Sequence, residues 1–141
     1  MRWVIWVVGS LAVIVAVVAI VGSMLPQQHT ASRTARVALA PAALYPILVQ
    51  MAQASTDPPV RVERQEPPSL LVTTISDPKL PFGGSWTYRL EPAGTAASDL
   101  TITENGEVYN VIFRFMSRFV FGHHATMDAF IRELQAKAAA R

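Results

Sequence analysis

Few residues in this chain have the types and spacing that chemistry requires, and His123 is the first of them. On a helical wheel it falls in the middle of an apolar stripe. There an imidazole acts as a general base or orienting donor in a ligand pocket, or sits as a neutral core histidine bonded to backbone. His124 points about 100° away around the same helix, so the two cannot chelate one metal ion. His124 and Asp128, four apart, can meet, but two surface ligands make a weak metal signal. Tyr88 is the other polar group expected on an inward face. Ser85 and Ser117 have no base and acid at a readable spacing. Gly83-Gly84 neither precedes a helix nor leads into Lys-Ser/Thr, which argues against a phosphate loop. Arg114 and Arg118 share a polar helix face, either solvated or in contact with lipid headgroups. His29 reads as a solvated linker residue. The chain has no cysteine, which removes disulfides, thiolate nucleophiles and Cys-based metal sites. No cofactor and no metal ion is expected.

The element that must position these groups is the stretch Glu107 to Leu134. One apolar stripe runs through Ile112, Phe113, Phe115, Met116, Phe119, Val120, Met127, Phe130, Ile131 and Leu134 without changing face. The spacing predicts one long amphipathic helix with a bend at Gly122, supported by the pairs Asp128–Arg132 and Glu133–Lys137. So much aromatic surface needs a large apolar partner. The segments before it supply one, because they read as strands.

Residues Trp3 to Val21 carry no charge, and nineteen residues at about 1.5 Å each come close to the thickness of a bilayer core. The run exceeds the apolar core of a cleavable signal peptide, so it reads as an uncleaved anchor, with a cut near Val21–Ser23 as the competing reading. Arg2 lies on one side of it and Arg33 and Arg36 on the other. The short charged tail before an export-like run favours the domain outside the cytoplasm. The chain thus divides into a transmembrane anchor (1–25), a juxtamembrane linker (26–30) and one domain (31–141).

Within the domain, Ala31 to Leu39 alternates as a half-buried strand. A helix starts at Pro41 with Leu44, Leu48 and Met51 on one face, and Pro46 is expected to kink or shorten it. Val60–Glu66 and Leu70–Ser76 read as a hairpin. Ser85–Glu91 places Trp86, Tyr88 and Leu90 on one face, and Asp99–Val108 is the last strand. The formal net charge is +2, with twelve Lys/Arg scattered among ten Asp/Glu, and mean hydropathy is +0.30. No basic stripe tracks a phosphate backbone, so nucleic acid is not an expected partner; the bilayer is.

This order of strand, helix, antiparallel strands and long C-terminal helix resembles the helix-grip fold of the START/polyketide-cyclase ligand-binding superfamily (SRPBCC). The residues that carry the resemblance are Val62-Glu63-Arg64-Gln65-Glu66-Pro67-Pro68-Ser69-Leu70-Leu71-Val72, Pro81-Phe82-Gly83-Gly84-Ser85-Trp86-Thr87-Tyr88, Leu100-Thr101-Ile102-Thr103-Glu104, Tyr109-Asn110 and Phe113-Arg114-Phe115. His29-Thr30-Ala31-Ser32-Arg33 after an apolar run is similar to a membrane-anchored branch. One departure stands out: members usually carry a second helix and two more strands where only Gln53 to Pro59 lies here. An α+β sheet of about five strands, open on one side, is therefore expected.

The resemblance implies an apolar cavity between sheet and helix, with Leu71, Trp86, Tyr88, Ile102, Phe115, Phe119 and His123 as candidate lining. The bland alternative is that these side chains fill one another as a core. The expected function is a membrane-anchored domain that binds a hydrophobic small molecule or lipid without catalysis. Two alternatives stay open: a cyclase- or hydratase-type enzyme, and an assembly module with a filled core.

Overall fold

Alternation decides which face of the sheet meets water. In β1 (Gln28–Val37) Ala31 and Val37 are buried, while Thr30, Ser32, Thr34 and Arg36 are exposed. The exposed set forms a polar ladder with β5 (Ser98–Val108): Thr30 to Asn105 at 3.0 Å, Thr34 to Thr101 at 3.0 Å, and Arg36 bidentate to Asp99 at 2.9 and 3.1 Å. β2 (Val60–Glu66), β3 (Leu70–Ile75) and β4 (Phe82–Pro92) complete a five-stranded antiparallel sheet in the order β1-β5-β4-β3-β2. This is a computed structural model, and it describes residues 1–122 and 124–141.

The concave face is covered by α2 (Pro41–Gln53) and by a C-terminal helix (Ala125–Ala139). Pro41 opens α2 as its first residue, where its missing N–H costs nothing. Pro46 does not shorten the helix, which runs on through it to Gln53. Leu44, Leu48, Leu71, Leu100, Met127 and Leu134 are fully buried between these helices and the sheet. The predicted α+β architecture is present.

A long C-terminal helix is present too, but it does not run unbroken from Glu107 as predicted. β5 continues to Val108, and Asn110 then caps a short helix, α3 (Val111–Met116), its side-chain oxygen accepting from the Ile112 and Phe113 amides at 2.9 and 3.2 Å. A π-helical turn follows (Ser117–Phe121) and ends at Gly122, whose φ of 71° is left-handed. The helix numbered α4 is the separate Ala125–Ala139 segment. Gly122 therefore breaks the helix where a bend was expected.

The apolar stripe divides at that break. Met127, Ile131 and Leu134 are buried on the sheet, whereas Ile112, Phe113, Phe119 and Val120 are exposed, Phe119 by 59%. Of the two expected i,i+4 pairs, Glu133–Lys137 forms at 3.5 Å, while Asp128 instead meets Arg33 at 3.0 Å and ties α4 to β1.

The N-terminal helix α1 (Arg2–Met24) is long and apolar enough to cross a membrane. Its first two-thirds is exposed; its end, from Val18 to Gly22, packs on α3. Gly22 is buried there, and a methyl group on it would collide with the Val111 carbonyl. Only Leu25, Pro26 and Gln27 separate α1 from β1. The Gln27 carbonyl accepts from the Val108 amide at 2.8 Å, and Arg114 Nε donates to the Val108 carbonyl at 2.7 Å. The joint between α1 and the domain is thus pinned, and β1 begins within the stretch 26–30 that was read as a linker.

Candidate functional site: a hollow beneath the helix break

His29, Gly106 and Gly84 lie side by side across β1, β5 and β4. Two of the three lack a side chain, so the concave face is hollow at this end. The His29 imidazole lies across Gly106; a methyl group there would collide with the ring. In the next row stand Ala31, Glu104, Trp86 and Thr73. Glu104 Oε1 is 3.2 Å from His29 Nε2, and each side chain is only 19% exposed. The opposite wall comes from Ser117 in the π turn, Gly122 and Thr126 of α4. The hollow has a volume of about 270 Å³, is partly open, and is lined by Phe82, Trp86, His29 and Glu104 among others. A second cavity of about 230 Å³ shares His29, Val108 and Ser117 with it and lies beside Leu25, Pro26 and Arg118, at the joint with α1.

The other half of the concave face is solid. Leu71, Tyr88 and Ile102, predicted to line a pocket, are at most 1% exposed and belong to the core. Tyr88 stacks on Phe130 at 5.3 Å and meets the edge of Trp86 at 6.4 Å. Of the predicted lining residues, Trp86 stands at the hollow. Phe115 and Phe119 pack on each other at 4.9 Å along α3 and the π turn and are not among the hollow's walls. His123 lies outside the described residues.

His29 and Glu104 are what the sequence reading missed. His29, expected in a solvated linker, is the second residue of β1 and shares the inward parity of Ala31. Glu104 follows Leu100 and Ile102 at the inward positions of β5, so a carboxylate on a buried face was legible in the alternation.

An ionised carboxylate only accepts, so with Glu104 charged His29 donates through Nε2, leaving the other Glu104 lone pairs for a donor group. The pair is equipped to bind a hydroxyl or amine, or to move a proton. Burial pushes the Tyr88 phenol well above its usual range; the Thr73 hydroxyl opposes this and the Glu104 charge adds to it. Tyr88 therefore stays a neutral hydrogen-bonding group.

Linkage gives this shift a sign. The unfolded chain releases the Tyr88 proton near the ordinary phenol value of about 10 and the folded chain only above it, so stability falls as pH rises past about 10. Tyr45 and Tyr109 are shifted upward too, Tyr45 mainly by burial and Tyr109 by its bond with Glu107. These are all three tyrosines of the chain. A phenolate absorbance titration should show the Tyr88 step withheld until the fold opens; a full three-tyrosine step before unfolding would refute the burial of Tyr88.

No protein-family model matches the sequence, and no curated protein matches it. Solved structures do match its fold. A conserved protein from Geobacillus kaustophilus aligns with a TM-score of 0.63 and 12% identity, over 79% of this chain and 96% of that one. Norcoclaurine synthase of Thalictrum flavum gives 0.58 and 8%, over 80% and 95%. The di-domain aromatase/cyclase BexL gives 0.54 and 13%, over 77% of this chain and 44% of that one. Identities this low show a shared fold alone, and that fold is the helix grip.

Proposed function

We propose that this protein is a membrane-tethered helix-grip domain that takes up a narrow amphipathic small molecule from the bilayer surface and binds it without chemical change. The observation that carries the reading is the His29–Glu104 pair, held at 3.2 Å in the wall of an otherwise largely apolar hollow beside Trp86. Its volume, about 270 Å³, falls just under the about 300–1,000 Å³ usual for drug-sized ligands, which suits a slender chain better than a rigid polycycle. The adjoining cavity at the α1 joint, which shares His29, Val108 and Ser117 with the hollow, supports entry from the membrane side. Glu104 sets the chemistry of the polar end: an alcohol or amine is accepted, and a carboxylate is repelled. The reading includes α1 as an uncleaved anchor with the domain on the extracytoplasmic side.

The test is the thermal midpoint of the full chain in micelles with a long-chain alcohol, amine or carboxylate of equal length. A ligand at about a hundred times its Kd adds about 2.7 kcal/mol to stability. The alcohol and amine should raise the midpoint and the carboxylate should not; Glu104→Gln should admit the carboxylate. Equal shifts with all three ligands would show that the pair does not read the polar end.

The same pair favours a second reading, acid–base catalysis of the cyclase or hydratase kind, with Glu104 orienting His29 as the base. Turnover of a bound ligand that His29→Gln abolishes would favour that reading over binding alone.

A further inference from the structure

We infer that the exposed apolar face of α3 and the π turn is seated in the bilayer, at the boundary between headgroups and acyl chains. The inference rests on the reading of α1 as a membrane anchor and goes beyond it, by adding a second contact that fixes the tilt of the domain.

The face consists of Ile112, Phe113, Phe119 and Val120, exposed by 44, 45, 59 and 58%. The spacing of seven, Ile112 to Phe119 and Phe113 to Val120, puts them on one side of the segment. Such a cluster on an otherwise polar domain surface marks an interaction site. Its occupant follows from its position. α3 packs against Val18 to Gly22, the last turns of α1. At about 1.5 Å per residue those turns lie within about 10 Å of the helix end. A helix of 23 residues slightly exceeds a hydrocarbon core of about 30 Å, so its last turn reaches the interface.

The patch is therefore level with the acyl–headgroup boundary and continuous with the lipid-facing surface of α1. The pinned joint through Gln27, Val108 and Arg114 prevents α3 from swinging away. Arg118, exposed beside the patch, stands where a headgroup phosphate would be. Lipid thus fits the position, the apolar surface and the flanking charge together. A second copy of the chain would have to approach through the membrane surface itself.

The chain contains no cysteine, so single-cysteine variants can carry an environment-sensitive bimane label without background. F119C reports the patch, V13C the middle of the anchor, and T95C, in the exposed turn between β4 and β5, the far end of the domain. The full chain is reconstituted in phosphatidylcholine–phosphatidylglycerol vesicles, with lipids carrying a doxyl quencher either near the headgroup or deep in the acyl chain. We expect V13C to be quenched most by the deep quencher, F119C several-fold more by the shallow quencher than T95C, and T95C by neither.

V13C quenched with F119C no different from T95C would overturn the inference and leave the anchor standing. Loss of quenching at both V13C and F119C would overturn the anchor and the inference together. Quantitative disulfide cross-linking between F119C copies in dilute vesicles would assign the patch to self-association instead and equally overturn it.

Discussion

Leu134→Ala is expected to destabilise the domain by about 2–5 kcal/mol, and Phe119→Ala to change its stability by no more than about 0.5 kcal/mol. Leu134 is fully buried in the core beneath α4, so truncation leaves a cavity that the surrounding core side chains cannot fill without shifting. Phe119 touches Phe115 but is mostly exposed on the domain, so its loss removes little area buried within the protein itself. A helical wheel drawn through both residues puts them on the same apolar stripe and ranks them as equals. Denaturant midpoints of the full chain in micelles distinguish the two accounts. Comparable losses at 119 and 134 would mean that one continuous helix packs on the sheet.

Gly84→Ala is expected to be nearly as damaging, and for a different reason. Gly84 has φ 130°, where a side chain is strained at a cost of about 1–3 kcal/mol. The added methyl group would also collide with the Asn105 carbonyl, a backbone atom of the paired strand, and overpacking of this kind costs about 1–3 kcal/mol more. Gly83→Ala is the matched control. Its methyl group would meet the hydroxyl end of the Tyr109 ring, the far end of an exposed side chain that can move aside. The same denaturation experiment should separate the neighbours clearly. If both alanines are tolerated alike, β4 and β5 are not in the register that pairs Gly84 with Gly106, and the hollow is not built as described.

Much of the fold was legible because period-two alternation and Pro/Gly punctuation are local signals. The hairpin of β2 and β3 and the start of α2 at Pro41 follow from them, and so does the inward face of Trp86, Tyr88 and Leu90. The helix break was harder to read. A stripe of constant phase says that a face is apolar, but not whether its partner is a sheet, another helix or lipid. Ile112, Phe113, Phe119 and Val120 share that phase with Met127, Ile131 and Leu134, yet the first group is exposed and the second is buried on the sheet.

The candidate site was legible only in part. Gly83-Gly84 was weighed as a phosphate loop, yet Gly84 matters because it pairs with Gly106 and leaves room, a relation between strands distant in sequence. His29 was obscured by a strand boundary placed three residues late. Glu104 stood in view as a carboxylate at an inward position, but its meaning depends on His29 being opposite.

The central claim is that the hollow beneath the helix break admits a ligand, and Trp86 in its wall reports this directly. Trp3 and Trp6 are the only other tryptophans, so the full chain carrying Trp3→Phe and Trp6→Phe emits from Trp86 alone. Titrated in micelles with a long-chain alcohol, it should show a saturable change in Trp86 emission that Gly106→Val, by displacing His29 into the hollow, abolishes. An emission spectrum that stays constant across alcohols, amines and isoprenoids, in a protein that melts cooperatively, would contradict the claim and identify the domain as a filled core that binds none of them.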